Sequence, residues 1–211
     1  MAIRQQRRIA MPPCVKNNKE KDIAMEERIL IAGAGGQGAL TVGKFLATVA
    51  MMEHRVTFFP SYGAEVRGGT AHCHVVISED EIATPVVDEA TLLMVMNQMS
   101  YRRFLPNLRR DGVLILNSSM IQQDPPAECR RVVAVPASEL AGEMGDIRVA
   151  NVILLGVMNA VHPLLDEAAV GRTMEKILGS DPSKARILDL NRQAYKVGAE
   201  QGRKFLKEAA S

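Results

Sequence analysis

The chain has no tryptophan, and aromatic side chains make up only 4% of its 211 residues. Proteins that grip single-stranded nucleic acid stack bases on such rings, so this scarcity argues against that role. A strong positive field is missing as well. The formal charge is +2, and residues 1–24 alone hold Arg4, Arg7, Arg8, Lys16, Lys19 and Lys21 against Glu20 and Asp22, which leaves the rest of the chain at −2. A slightly acidic body lacks the many cations that neutralise phosphates along a nucleic acid. Cysteine is sparse: Cys14, Cys73 and Cys129 lie far apart with no C-x-x-C spacing. That excludes a zinc ribbon and any iron–sulfur cluster held by four thiolates of this chain, and an odd, sparse count fits a reducing cytoplasm. No apolar run reaches the roughly 20 residues that span a bilayer. The longest, Val149 to Val161, is interrupted by Asn151, Gly156 and Asn159. A cytoplasmic protein with neither nucleic-acid nor membrane partners is expected.

The apolar content, 47%, is enough to bury one sizeable core. Residues 1–26 read as a flexible basic extension and residues 27–211 as one α/β domain. Arg28 to Ala32 is a strand-like apolar run, and Ala39 to Met52 places Leu40, Gly43, Leu46, Val49 and Ala50 at helical spacing. Val56 to Phe59 reads as a second strand, Pro60 to Thr70 as a loop, and Ala71 to Ser78 as a third strand. These two strands have no room for a crossover helix between them, so they should pair antiparallel and make the sheet mixed. Further strands are expected at Leu92 to Met96, Val113 to Leu116 and Arg131 to Val135, with a helix from Ser100, as its cap, to Leu108 and a turn at Asp111-Gly112. From Ser138 onward the pattern is helical. The expected architecture is a three-layer α/β/α, Rossmann-like domain with a mixed sheet and a helical C-terminal third.

Two glycine clusters stand out. Gly33-Ala34-Gly35-Gly36-Gln37-Gly38 follows the first strand and opens a helix, the order a phosphate-gripping βα unit requires. Here Gly33 is expected to allow the turn, Gly35 to let amides approach an anion, and Gly38 to let the helix pack on its strand. The second cluster, Ser61-Tyr62-Gly63-Ala64-Glu65-Val66-Arg67-Gly68-Gly69-Thr70, combines three glycines with a carboxylate, a guanidinium and hydroxyls. Arg67 either offers a rigid fork to phosphate or carboxylate, or braces the turn against Glu65. A dinucleotide-dependent dehydrogenase would carry an acidic residue at the end of the second strand to hold a ribose. This chain has Phe59-Pro60-Ser61 there, and Glu53 lies before the strand.

Taken with Met96-Asn97 and Asn117-Ser118-Ser119, the two clusters resemble the gamma subunit of 2-oxoacid:ferredoxin oxidoreductases, from about Glu27 to Ala160. The form of the second cluster is more similar to the 2-oxoglutarate or branched-chain 2-oxoacid type than to the pyruvate type. The resemblance implies a complex that decarboxylates a 2-oxoacid, reduces ferredoxin and releases an acyl-coenzyme A. It also implies that thiamine diphosphate, magnesium and 4Fe–4S clusters sit on partner subunits: alpha and beta, with a delta or ferredoxin-like subunit as a further candidate. On that basis this chain is structural, has no catalytic residue or metal of its own, and receives coenzyme A. The candidate contacts are Gly33, Gly35, Gly36, Gln37, Gly38, Ser61, Tyr62, Gly63, Glu65, Arg67, Gly68, Gly69 and Asn97. The alternative is a stand-alone Rossmann-like nucleotide-binding module or small NAD(P)-dependent dehydrogenase.

Other residues have plainer readings. His72 and His74 project from one strand face and read as packed or exposed rather than metal-ligating, with Cys73 facing the core. Met51, Met52, Met94, Met96 and Met99 read mostly as core. Arg102-Arg103 and Arg109-Arg110 read as a solvated face able to attract an acidic partner.

Overall fold

Ile29, Leu30 and Ile31 are completely buried in the first strand, β1 (Glu26–Ala34), because it lies inside a sheet covered on both faces. A strand in that position has no solvent side, which explains its unbroken apolar run. The computed structural model describes residues 25–62, 70–129, 131–179 and 182–210. The sheet contains β2 (Arg55–Tyr62), β3 (Thr70–Ser78), β4 (Ala90–Val95), β5 (Leu108–Asn117) and β6 (Arg131–Val135) in the order β2-β3-β1-β4-β5-β6. It is mixed, as expected. β3 runs antiparallel to both β1 and β2, while β1, β4, β5 and β6 are mutually parallel. β2 is therefore parallel to β1 but two places away, and the carboxyl ends of all five parallel strands share one rim.

One face of the sheet carries Ile29, Ile31, Cys73, Val75, Met94 and Ile115, packed under α1 (Ala39–Ala50) and α4 (Ala150–Val161). Leu30, Ala32, Val95 and Leu116 on the other face meet Tyr101 and Phe104 of α2 (Gln98–Phe104). The chain then adds α3 (Ala137–Glu143), α5 (Glu167–Leu178) and the long α6 (Ala185–Ala210). This is the three-layer arrangement with a helical C-terminal third. α6 lies so close on α4 that a Cβ at Gly156 would strike the Tyr195 carbonyl, and one at Gly198 the Ile153 carbonyl.

Several local expectations are corrected. β2 does not stop at Phe59; Pro60 and Ser61 continue it opposite Cys73 and His72. On an edge strand the missing proline N–H costs no ladder bond. Asp111-Gly112 does not precede a strand but lies within β5, where the register against β4 shifts between Ala90 and Leu92. The turn signal is expressed as an irregularity, with Arg109 forked onto Asp111 at 3.0 and 2.9 Å. Ser100 is not the cap of α2. Asn97 is, its Oδ1 accepting from the Ser100 amide at 2.8 Å, and the helix ends at Phe104, short of Leu108. Met51, Met52 and Met99 are exposed, in contrast to the buried Met94 and Met96.

Candidate functional site

The first glycine cluster leaves β1 as a tight turn at the shared rim. Gly33 is part of β1 itself, where a Cβ would press on Met96 and the Gln37 side chain. The turn proper is made by Gly36, with φ of 92°, and Gly38, with φ of 80°, both in the left-handed region. Around Gly35 and Gly36 a Cβ would meet nothing within 4 Å, so the turn's outer edge is open. Gly38 does not serve helix–strand packing as expected; a Cβ there would collide with Asn151 in the first turn of α4. Gly43 fills the packing role, seated against Cys73 and Phe58.

The Gly38–Asn151 approach brings two helix starts together. Neither α1 nor α4 has a side-chain cap or an acidic residue in its first turn. α1 leaves partial positive charge at the rim, whereas α4 continues a short turn, Ile147–Val149, in which the Arg148 amide donates to the Asp146 carboxylate. The sequence marks Asn151 only as an interruption of an apolar run; its place at the turn is not legible there, since Gly38 is distant along the chain.

Gln37 bends back over the turn. Its Oε1 accepts from the Ala34 amide at 2.6 Å and from Asn97 Nδ2 at 2.8 Å. The Gln37 amide in turn donates to the Ala34 carbonyl at 3.1 Å. The amides of Gly35, Gly36 and Gly38 make no hydrogen bond within the described residues. Of the predicted contacts, the structure therefore brings Gly33, Gly35, Gly36, Gln37, Gly38 and Asn97 together at one turn, with hydrogen bonds joining Gln37 to Asn97 and to Ala34.

Ser61 and Tyr62 close β2 at the same rim. Tyr62 pairs with Ala71, and Thr70 pairs with Ala34, so both flanks of the second cluster lie beside the first. Gly63, Glu65, Arg67, Gly68 and Gly69 fall outside the described residues.

His72 and His74 do share a face, with ring centroids 5.4 Å apart, and His72 lies 4.6 Å from Phe104. Burial, with added repulsion from His74 and Arg103, pulls His72 down to about 4. Burial also lowers His74, whose Nδ1 accepts from the Val87 amide at 3.0 Å. Among the described residues no group of three or more His, Cys, Asp or Glu is arranged to hold a metal. Cys73 is buried, and its thiol is pushed up to about 12. No described helix is long and apolar enough to cross a membrane.

A mixed six-stranded sheet covered by helices on both faces, with a glycine turn at the rim its parallel strands share, defines the class: a three-layer α/β domain. The chain belongs to the pyruvate ferredoxin/flavodoxin oxidoreductase family, whose profile matches residues 28–201. It is 38% identical over 180 residues to the ketoisovalerate oxidoreductase subunit VorA of Methanothermobacter thermautotrophicus, a match covering 84% of this chain and 37% of that protein. The chain thus spans well under half the length of that relative. It is 30% identical over 184 residues to the 2-oxoglutarate synthase subunit KorC of Archaeoglobus fulgidus, covering 86% of this chain and 91% of that one. Among solved structures, the gamma subunit of a keto/oxoacid ferredoxin oxidoreductase from Geobacter sulfurreducens superposes with a TM-score of 0.71 at 26% identity, covering 85% of this chain and 97% of that chain. The 2-oxoglutarate:ferredoxin oxidoreductase of Magnetococcus marinus, solved with 2-oxoglutarate, coenzyme A and succinyl-CoA bound, shares the fold, with a TM-score of 0.75 at 22% identity. That match covers 85% of this chain and 31% of the Magnetococcus chain.

Proposed function

We propose that this chain is the gamma subunit of a 2-oxoacid:ferredoxin oxidoreductase and that its glycine rim receives coenzyme A. The observation that carries the reading is the turn: three amides, at Gly35, Gly36 and Gly38, that make no hydrogen bond among the described residues and lie at the start of α1, which has neither a side-chain cap nor an acidic residue in its first turn. Amides and helix starts of this kind suit a ligand whose phosphates carry negative charge. The relatives fit the same reading, since VorA and KorC are named as subunits of 2-oxoacid enzymes and the Magnetococcus structure holds coenzyme A.

In this reading the chain binds and orients coenzyme A and contributes no acid, base or electron carrier. Thiamine diphosphate, magnesium and the 4Fe–4S clusters belong to alpha and beta partners, and to a delta or ferredoxin-like subunit where one is present. Three cysteines in the whole chain are fewer than one cluster needs. Ferredoxin receives the electrons in the cytoplasm. The substrate is a branched-chain 2-oxoacid or 2-oxoglutarate, in keeping with VorA and KorC. Arg67, with Ser61, Tyr62, Gly63, Glu65, Gly68 and Gly69, forms the second half of the site, its guanidinium pairing with a phosphate. Replacing Arg67 with alanine in the assembled complex is expected to raise the KM for coenzyme A by about tenfold. An unchanged KM together with normal assembly would remove Arg67 from the site.

A further inference from the structure

Contacts around the end of β1 tie it to α2 by two routes, one through hydrogen bonds at the glycine turn and one through the neighbouring strand. Asn97, the cap of α2, donates to Gln37 Oε1, which accepts from the Ala34 amide. Ala34 pairs across the sheet with Thr70. Thr70, which is 4% exposed, accepts through its Oγ1 from Arg103 Nη1 at 2.7 Å, and Arg103 returns the path to the last turn of α2. The Arg103 guanidinium also lies 5.2 Å from the Phe104 ring. One short helix therefore grips the end of β1 from both sides, through the glycine turn and through the neighbouring strand.

We propose that Asn97 and Arg103 are positioning residues, which touch no ligand themselves but fix the aim of the Gly35, Gly36 and Gly38 amides through Gln37 and Thr70. The proposal rests on the coenzyme A reading of the rim. It gives Gln37 and Asn97 a different task from direct ligand contact: Gln37 Oε1 already serves two donors and Asn97 Oδ1 one. With those side chains satisfied internally, the backbone amides remain as the groups free to meet an anion. Preorganisation of that kind raises affinity because the turn does not have to be ordered by its ligand.

Asn97→Ser and Asn97→Asp separate positioning from folding, since both side chains cap a helix N-terminus. The serine is too short to reach Gln37, and the aspartate has no proton to donate to its Oε1. The readouts are calorimetric coenzyme A affinity of the assembled complex, the KM values for coenzyme A and 2-oxoacid, and hydrogen exchange of the Ala34 amide in the full chain. Both variants, and Arg103→Met, are expected to weaken coenzyme A binding by about tenfold, the scale of one lost hydrogen bond to a charged ligand. The KM for the 2-oxoacid should stay within about twofold, and Ala34 exchange should quicken in the Asn97 variants. A loss confined to Asn97→Asp would show charge repulsion and overturn the positioning role. Equal changes in both KM values, or protection at Ala34 unchanged from wild type, would also overturn it. Failure of the wild-type complex to bind coenzyme A would instead overturn the functional reading on which the proposal rests.

Discussion

Gly35 and Gly38 stand three positions apart in one motif and have opposite physical tasks. At Gly38 an alanine must hold φ near 80° and displace Asn151, so Gly38→Ala is expected to cost about 1–3 kcal/mol in urea unfolding. At Gly35 a methyl group meets nothing. Gly35→Ala should leave stability within about 0.5 kcal/mol while weakening coenzyme A binding. The motif was legible as a string of glycines, but which glycine turns and which packs was not, because Asn151 and Met96 arrive from distant parts of the chain. His72 gives a pH-dependent expectation. Its imidazole takes a proton near 6.5 when unprotected but only at about 4 in the fold, where it lies beside His74, Phe104 and Arg103. The unfolded chain then binds the additional proton, so stability falls as pH drops from 6.5 towards 4. His72→Gln should flatten the thermal-denaturation profile across that window; a slope identical to wild type would assign it to other groups.

Helices and strands differ in how openly they announced themselves. β1, α1 and β3 were legible because each carries an unbroken or evenly spaced apolar pattern with a glycine or polar boundary. The ends of β2, α2 and β5 were not, since each is decided by a contact rather than a propensity. Pro60 remains in a strand because its strand is an edge, Asn97 outcompetes Ser100 because its Oδ1 faces the open amide, and Asp111-Gly112 is held within β5 beside β4. The helical third was visible, but not its tightest joint. Asn159 donates to the Leu165 carbonyl and Tyr195 hydroxyl, while its Oδ1 accepts from the Leu164 and Leu165 amides. Read from sequence as an interruption of an apolar run, it ties α4, the turn before α5, and α6 together. Asn159→Leu should cost about 2–4 kcal/mol, because buried amides lose their acceptor, with the midpoint of chemical unfolding as the measure.

The molecule as a whole was legible in class and not in order. Strand and helix alternation predicts a layered α/β domain, and short spacing predicts the antiparallel β2–β3 pair. That β3 inserts between β1 and β2 follows only from three-dimensional packing. That insertion has a functional consequence: it sets Thr70 beside Ala34 and so brings the flanks of the second glycine cluster to the first. The family assignment rested on those two clusters and is matched by residues 28–201. The subunit role is tested most directly by recovering the chain anaerobically at native expression level with whatever accompanies it. The recovered material is then assayed for coenzyme A-dependent viologen reduction with pyruvate, 2-oxoglutarate and 2-oxoisovalerate. The account predicts brown, cluster-bearing partners and activity with 2-oxoisovalerate or 2-oxoglutarate. A colourless chain recovered alone and inactive with all three acids, under conditions that preserve such complexes, would contradict it.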